Sequence, residues 1–379
     1  MEFDVVAELV VAAGGRDDDI ARVIGSAGSD LVARVVLDEI AHRFEHPPTR
    51  DAGETVVQVS LAHDGGTAEW LLRVDAEKVH YEPGRVDAPE IRVEQDLVEV
   101  VRAVYGPAGA AANSTRKLDL RGSGDMRSFI QPPAWFRVAQ RLVAATDARD
   151  GADLTELAGR YGTDKWGIHR YTPHYERYFE PLRDRPLTLL EIGVGGLGSD
   201  DPAAGGASLR MWKHYFPRAL VYGIDIVDKQ VLSEQRLTVL QADQSDPADL
   251  AAVVERTGPL DIVIDDGSHR SADVLTSFRA LFPHVRPGGW YVVEDVQTAY
   301  WPRFGGRSDD LADPTTSTGF LKALVDGLNH QEVLAEAGRP PGEHDLAVKG
   351  VHFHHNVVFV EKGLNAEPGG PDWVRYGPR

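Results

Sequence analysis

The stretch LTLLEIGVGG, residues 187–196, combines a continuous apolar run with a cluster of glycines. An apolar run without alternation predicts a strand buried on both faces, as in a parallel sheet covered by helices. Glycines directly after such a strand let the backbone approach a ligand at the carboxyl end of the sheet. We therefore expect residues 187–196 to form the first strand and the ligand loop of an α/β domain.

Four further apolar strands follow, separated by helical patterns, and this alternation supports a parallel sheet covered on both faces. The tail at 344–363, HDLAVKGVHFHHNVVFVEKG, predicts two closing strands in an antiparallel hairpin at the sheet edge. The predicted parallel strands are ALVYGIDI (219–226), RLTVLQAD (236–243), LDIVIDDG (260–267) and GWYVVEDV (289–296).

Residues 1–145 have a different texture, which predicts a smaller α+β domain. Helical patterns cover Phe3–Ala13 and Ile20–Phe44. Apolar residues then alternate in TVVQVSLAHD (55–64), as in a half-buried strand that leads into a hairpin. Pro132-Pro133 and the stretch 145–154 are candidate joints, so we assign the second domain to residues 153–365.

The order within residues 25–142 resembles the sterol-carrier-like fold. The features that carry this resemblance are a Trp-containing strand, a second strand, a helix closed by a glycine and the G-x-G-D turn at 122–125. We expect an auxiliary domain that serves oligomer contacts or acts as a lid.

Composition excludes several classes of function. The formal charge of 40 minus 59, or -19, argues against nucleic acid and anionic membranes as main partners. The absence of cysteine excludes disulfides, thiolate metal sites and cysteine nucleophiles. The N-terminus lacks a basic region typical of a signal peptide, and no apolar run is long enough to span a bilayer, which together predict a cytoplasmic protein.

The glycine loop allows two cofactors. Gly193, Gly195 and Gly198 fit the G-x-G-x-x-G fingerprint of nicotinamide enzymes. That fingerprint should run straight into a helix whose N-terminus binds the pyrophosphate, but the acidic stretch 199–207 precedes a helix predicted to start near Ser208.

S-adenosylmethionine carries no phosphate and suits the surrounding acids better. Glu191 and the strand-end backbone are placed for its methionyl amine, and Asp225 is placed for the ribose hydroxyls. Asp243 and Gln244, at the next strand end, are placed for adenine.

Paired acids end the fourth and fifth strands, Asp265-Asp266 and Glu294-Asp295. Carboxylates that converge at one sheet edge repel one another unless a cation or protons neutralise them, and all-oxygen ligation suits Mg²⁺. We expect Asp265 to cap the following helix instead. His269 is then placed as a general base for a hydroxyl that the metal acidifies, and a metal chelating two neighbouring hydroxyls would select a vicinal diol.

Six stretches together resemble the Mg²⁺- and S-adenosylmethionine-dependent deoxysugar O-methyltransferases of macrolide biosynthesis, the mycinamicin and tylosin type. This resemblance covers about residues 155–362. The stretches are YGTDKWGIHRYTPHYERYF (161–179), LLEIGVGG (189–196), GGASLRMWKHYFP (205–217), VYGIDI (221–226), IDDGSH (264–269) and VVEDVQTAYW (292–301).

The resemblance implies a Rossmann-like class I methyltransferase domain preceded by an auxiliary domain, in a homotetramer. It implies His269 as base and a cover over the cofactor at 161–175, and we predict a mobile substrate lid at 301–320. The implied metal ligands are Asp266, Glu294 and Asp295. The implied cofactor contacts are Tyr161, Glu191, Ile192, Gly193, Val194, Gly195, Gly196, Ser208, Asp225, Asp243 and Gln244.

The leading hypothesis is thus an O-methyltransferase acting on a sugar hydroxyl of a glycosylated natural product. A catechol-type methyltransferase would share the metal chemistry but take a flat aromatic acceptor. A nicotinamide oxidoreductase would have to bind NAD(P). A non-catalytic binding protein would bind ligands without turnover.

Overall fold

The computed structural model describes residues 2–44, 54–75, 78–120, 134–147, 152–196, 199, 201–334 and 340–376. The chain forms two compact units. The first comprises Met1–Ala152 with Arg183–Pro186, and the second comprises Asp153–Leu182 with Leu187–Arg379. The division after Ala152 falls within the stretch 145–154 named above as a candidate joint, whereas Pro132-Pro133 lies outside the described residues.

The first unit is an α+β domain built on a five-stranded sheet of order β3-β2-β1-β4-β5, in which β1 and β4 are parallel and the other pairs antiparallel. Its helices are α1 (Glu2–Ala12), α2 (Asp17–Ala27), α3 (Ser29–Phe44), α4 (Leu97–Tyr105) and α5 (Ala134–Thr146). Its strands are β1 (Thr55–His63), β2 (Gly66–Val74), β3 (Val79–Pro83), β4 (Ile91–Asp96) and β5 (Lys117–Leu120).

Local chemistry explains the turns of this unit and corrects one prediction. Asp64 and Gly65 have φ angles of 48° and 77°, the left-handed pair that a tight hairpin between β1 and β2 requires. The single helix predicted over Ile20–Phe44 is wrong, because the chain leaves α2 at Gly28 with φ 92°. Only glycine adopts that conformation at little cost, so α3 starts afresh at Ser29.

The second unit has a seven-stranded sheet of order β11-β12-β10-β9-β6-β7-β8. The strands β8, β7, β6, β9 and β10 are parallel, as predicted, and the antiparallel hairpin of β11 and β12 closes one edge, as predicted. The helices are α6 (Leu154–Tyr161), α7 (Thr172–Phe179), α8 (Ala207–Tyr215), α9 (Pro247–Thr257), α10 (Ser271–Leu281), α11 (Ser317–Leu328) and α12 (Asp372–Arg375). The strands are β6 (Leu187–Ile192), β7 (Ala219–Asp225), β8 (Leu237–Gln241), β9 (Leu260–Asp265), β10 (Val285–Glu294), β11 (Val348–His354) and β12 (Val357–Lys362).

Strand order fixes where a ligand can bind. The chain runs outward from β6 through β7 to β8, then returns to β9 on the other side of β6. Such a reversal leaves a crevice at the carboxyl ends of the two central strands. The acids at the carboxyl ends of β6, β7, β9 and β10 all lie at this edge of the sheet.

The segment predicted as a lid, 301–320, is partly regular. Pro302–Phe304 forms a 3₁₀ turn, and the last four residues already belong to α11. Between them Arg307 pairs with Asp309 at 2.8 Å and with Asp313 at 2.9 Å. The mobility of this segment stays a prediction.

Among the helices that the described residues form, none has the length and apolar character needed to cross a lipid bilayer.

Candidate active site

Three side chains meet at the carboxyl edge of the sheet in the second unit. Asp266 follows β9, His269 lies in the loop before α10, and Asp295 follows β10. One ligand atom from each lies within 4.8 Å of the other two. The sequence predicted that these elements would converge, and the structure brings these three residues together.

Asp295 is surrounded by hydrogen-bond donors and imidazole rings. The Tyr171 hydroxyl donates to its Oδ1 at 2.6 Å. The Nε2 atoms of His169 and His269 lie 3.6 Å and 3.5 Å from its two oxygens. Burial raises the pKa of this carboxyl, but the Tyr171 hydrogen bond and the two imidazoles outweigh burial, so the pKa lies below its ordinary value.

Two residues of this cluster have strained backbones. His269 and Asp295 have φ angles of 57° and 51°, a region that costs a non-glycine residue about 1 kcal/mol or more. The Thr298 Oγ1 atom lies 2.9 Å from the carbonyl oxygens of both residues. A single buried hydroxyl therefore holds both strained turns in place.

A buried lysine, Lys165, contacts Asp266 of this cluster and was not predicted as a site residue from the sequence. The Lys165 Nζ atom is 2.9 Å from Asp266 Oδ2, 2.7 Å from Glu294 Oε1 and 3.1 Å from Glu191 Oε1. Burial lowers its pKa, but the three carboxylates outweigh burial and hold the pKa well above the ordinary value. Lys165 is therefore a buried ammonium.

Glu294 was predicted as a metal ligand, and the structure shows that one of its carboxylate oxygens already has two partners within the protein. Its Oε1 accepts hydrogen bonds from the Lys165 ammonium and from the Tyr175 hydroxyl. Burial and the charge of Asp266 raise its pKa well above the ordinary value, against the opposing effect of Lys165. Its role as a third ligand stays a prediction.

Asp265 does not cap the following helix, so that prediction is wrong. Its side chain is buried and accepts hydrogen bonds from Gln244 at 2.6 Å, from Ser277 of α10 at 2.5 Å and from Tyr291 of β10 at 3.2 Å. Burial raises its pKa to about 6. Successive side chains of a strand alternate between faces, so only the second acid of the pair reaches the cluster.

The glycine loop after β6 has the conformation of a ligand cradle. Gly193 has φ 91°, and a Cβ atom there would lie 2.1 Å from the Asp266 carbonyl oxygen. Gly195 has φ 76° and faces open space. Gly198 lies outside the described residues. The helix that follows, α8, begins only at Ala207, as the sequence predicted to within one residue.

The acids predicted to bind the cofactor line this loop. Ser208 Oγ donates to Glu191 Oε2 at 2.9 Å, which joins the start of α8 to the end of β6. The Asp225 carboxylate accepts the backbone N–H groups of Val194 at 3.1 Å and Val227 at 2.9 Å. Ile192 is buried in the sheet, and Gly196 packs against the carbonyl of Ala204.

Three other predicted cofactor contacts have partners within the protein. The Gln244 side chain is used on both sides, since Nε2 donates to Asp265 and Oε1 accepts the Ser268 N–H at 2.9 Å. The Asp243 carboxylate accepts from the Ser245 hydroxyl and N–H, which lowers its pKa. The Tyr161 hydroxyl lies 3.1 Å from His214 Nδ1. Their contacts with a cofactor stay predictions.

Two histidines of the closing hairpin pack against neighbouring rings. His354 stacks on His174 with ring centroids 3.9 Å apart, and its Nε2 lies 2.9 Å from the Tyr178 hydroxyl. The His352 ring lies against Tyr178 and Trp290.

A parallel sheet, a glycine cradle without a phosphate-binding helix start and an acid-histidine cluster beside it define the class of Rossmann-like methyltransferases. Comparison with known proteins gives the family. Residues 6–116 match the family model "MycE methyltransferase N-terminal", and residues 206–296 match the model "Methyltransferase domain".

Full-length relatives agree with both models. An 8-demethyl-8-alpha-L-rhamnosyl tetracenomycin-C 2'-O-methyltransferase of Streptomyces olivaceus is 49% identical, over 98% of each chain. The demethylmacrocin O-methyltransferase of Streptomyces fradiae is 44% identical, over 98% of this chain and 95% of that one. The mycinamicin VI 2''-O-methyltransferase of Micromonospora griseorubida is 42% identical with the same coverage.

A solved structure of MycE methyltransferase from the mycinamycin biosynthetic pathway, in complex with Mg, SAH and mycinamycin VI, superposes with a TM-score of 0.86. It shares 39% identity, over 99% of this chain and 96% of that one. The chain belongs to the family of sugar O-methyltransferases of macrolide and tetracenomycin pathways.

Proposed function

We propose that this protein transfers the methyl group of S-adenosylmethionine to a sugar hydroxyl of a glycosylated natural product, with Mg²⁺ as cofactor and His269 as general base. The observation that carries the proposal is the cluster of Asp266, His269 and Asp295 beside the glycine cradle. The relatives support the substrate class, because two of those compared methylate rhamnosyl or mycinamicin compounds by name.

The donor set fits a hard divalent cation. Asp266 and Asp295 offer carboxylate oxygens, which Mg²⁺ prefers, and the described residues contain no thiolate. Glu294 shares the Lys165 ammonium with Asp266 and would complete the set on exchanging its contact with Lys165. The cation, when bound, would orient two neighbouring hydroxyls of the acceptor and lower the pKa of the one that reacts.

The residues of the cradle would position the cofactor. Glu191 is buried, and its carboxylate lies at the end of β6 where it can attract the methionyl ammonium. Asp225 is partly exposed and retains lone pairs for the ribose hydroxyls. Gly195 faces open space that the cofactor could occupy, and Gly193 lets the loop pack closely against the Asp266 backbone.

His269 would accept the proton of the reacting hydroxyl. In the proposed reaction the acceptor oxygen attacks the methyl carbon in line, the carbon–sulfur bond breaks as the carbon–oxygen bond forms, and the hydroxyl proton goes to His269. Asp295, 3.5 Å from Nε2, would stabilise the imidazolium that results. S-adenosylhomocysteine is the other product.

Calorimetric titration of the metal-stripped protein tests the cofactor assignment. Binding of S-adenosylmethionine and of Mg²⁺, with no heat from NAD⁺, is the expected result. NAD⁺ binding in place of S-adenosylmethionine would restore the oxidoreductase hypothesis.

Mass spectrometry of acceptors incubated with the enzyme tests the substrate class. We expect a methyl gain on a rhamnosylated or macrolide acceptor and none on catechol. Methylation of catechol alone would favour the catechol-type alternative, and binding without any turnover would favour a binding protein.

The homotetramer and the role of the first unit in oligomer contacts or as a lid stay predictions. Light scattering of the full chain tests the first. A mass of four chains is expected, and a monomer would contradict it.

A further inference from the structure

Lys165 has no catalytic role in the function proposed above, yet it is a charged residue buried as completely as its partner Glu191. Its side chain is 0% exposed. We propose that Lys165 is a positioning residue, an internal counter-ion for Glu191, Asp266 and Glu294. It holds these three carboxylates together in the metal-free protein and gives up part of this contact to the divalent cation. This inference rests on the proposed Mg²⁺ site and adds a residue that controls it.

The contacts of Lys165 join three strand ends. Glu191 ends β6, Asp266 follows β9 and Glu294 ends β10, and each places an oxygen within 3.1 Å of the same ammonium. The β6 and β9 strands border the crevice of the sheet. The Lys165 side chain thus connects β6, which carries the cofactor loop, with β9 and β10, which carry the candidate metal ligands.

The segment that carries Lys165 is itself held in a defined turn. The N–H of Tyr171 donates to the Lys165 carbonyl at 3.0 Å, and the N–H of His169 donates to the Asp164 carbonyl at 3.0 Å. The side chains of Tyr171 and His169 then contact Asp295. The same turn therefore places the ammonium against the three acids named above and the two rings against Asp295.

Charge explains why such a residue is needed. Three carboxylates close together repel one another strongly where water is excluded, and one ammonium neutralises only part of this repulsion. The remainder attracts a further cation on the exposed side of Asp266. Lys165 and a divalent cation share Asp266, so each weakens the hold of that carboxylate on the other.

Removal of the ammonium should therefore weaken the metal-free protein more than the metal-bound protein. Without it, the metal-free cluster has uncompensated buried charge and the fold is weakened. With Mg²⁺ bound, the cation replaces the lost charge. A purely structural lysine would weaken both states equally.

The test is the Lys165→Met variant, with Lys213→Met as the matched control. Lys213 is equally buried, at 2% exposure, but pairs with Glu234 at 3.0 Å and contacts none of the three acids. Tm is measured with and without Mg²⁺, and the Mg²⁺ Kd is measured by calorimetry.

For Lys165→Met we expect a lower Tm without metal, a larger rise of Tm on adding Mg²⁺ than in the wild type, and a Kd for Mg²⁺ at least about tenfold tighter. For Lys213→Met we expect a lower Tm with an unchanged rise and Kd. An unchanged rise and Kd in Lys165→Met would overturn the inference while leaving the proposed function intact.

Folding failure is also informative. If Lys165→Met folds only with Mg²⁺, the cation replaces the ammonium as proposed. Lys165→Gln, which keeps hydrogen-bond donors without charge, is the second variant. If neither variant folds even in excess Mg²⁺, the ammonium is needed regardless of metal and the inference is wrong. If the wild type itself binds no Mg²⁺, both the inference and the proposed metal site fail.

Discussion

The two units of this protein hold their acids in different ways: a single glutamate among neutral donors in the first, and several acids around one ammonium in the second. In the first unit Glu99 of α4 accepts hydrogen bonds from the N–H and hydroxyl groups of Ser114 and Thr115. Burial raises its pKa, but these neutral donors outweigh burial and lower the pKa to about 2. Its negative charge is fully provided for by the protein.

In the second unit Glu191 and Glu294 lie in a dry interior with Asp266 nearby. Burial raises the pKa of both glutamates, and the shared Lys165 ammonium opposes this effect only in part. Neutral donors that saturate an acid make a structural contact. In the function proposed above, the acids that share one ammonium would attract a further cation, whereas the neutral donors around Glu99 make a structural contact.

The largest expected effect is on turnover. His269→Ala should lower kcat by about 100-fold to 10,000-fold, because it removes the general base, while the Kd for S-adenosylhomocysteine changes little. His174→Ala, which alters a stacked pair outside the cluster, is the control and should keep kcat. Loss of cofactor binding in His269→Ala would assign His269 a structural role instead.

A smaller effect is expected on metal affinity. Tyr171→Phe removes the 2.6 Å hydrogen bond to Asp295 and should weaken Mg²⁺ binding by about tenfold, as for other groups that orient a metal ligand. Tyr178→Phe removes a hydroxyl bound to His354 instead and should leave the Kd unchanged. Equal Kd values for both variants would mean that Asp295 does not bind the cation.

The smallest effect is on the stability of the first unit. Glu99→Gln should cost about 1–2 kcal/mol at neutral pH, because the amide cannot accept all the hydrogen bonds of the carboxylate. A folded pKa of about 2 against an ordinary 4.5 means that Glu99 contributes stability above pH 4.5 and loses it as the pH falls through about 2.

The difference between wild type and Glu99→Gln should therefore shrink on acidification. Hydrogen exchange of α4 amides in urea measures it, and turnover should be the same in both proteins at neutral pH. A stability difference that is independent of pH, or a loss of turnover, would contradict the contrast between Glu99 and the acids around Lys165.

The strands of the second unit could be predicted from the sequence because each depends on a local pattern, whereas their order in the sheet was not predicted. Apolar runs without alternation predicted the five parallel strands, and the acids at their ends predicted the edge at which Asp266 and Asp295 meet. Gly28 also carried a local signal, in the run GSAGSD, that should have divided the helix predicted over Ile20–Phe44.

Lys165 could not be predicted in the same way. Two of its three partners, Asp266 and Glu294, lie 101 and 129 residues away in the chain, and lysine is a surface residue in most sequence contexts. The prediction that Asp265 caps the following helix failed for a related reason. Which acid of a pair reaches the site depends on the face of the strand that is turned toward it. Both depend on tertiary contacts that no local pattern records.

The measurement that tests the account most directly is calorimetric titration of the metal-stripped protein with Mg²⁺, in the wild type, Asp295→Ala and Glu99→Gln. We predict that the wild type and Glu99→Gln bind one Mg²⁺ per chain with the same Kd and that Asp295→Ala loses this binding. Equal binding by all three proteins would contradict the assignment of the acidic cluster as the metal site.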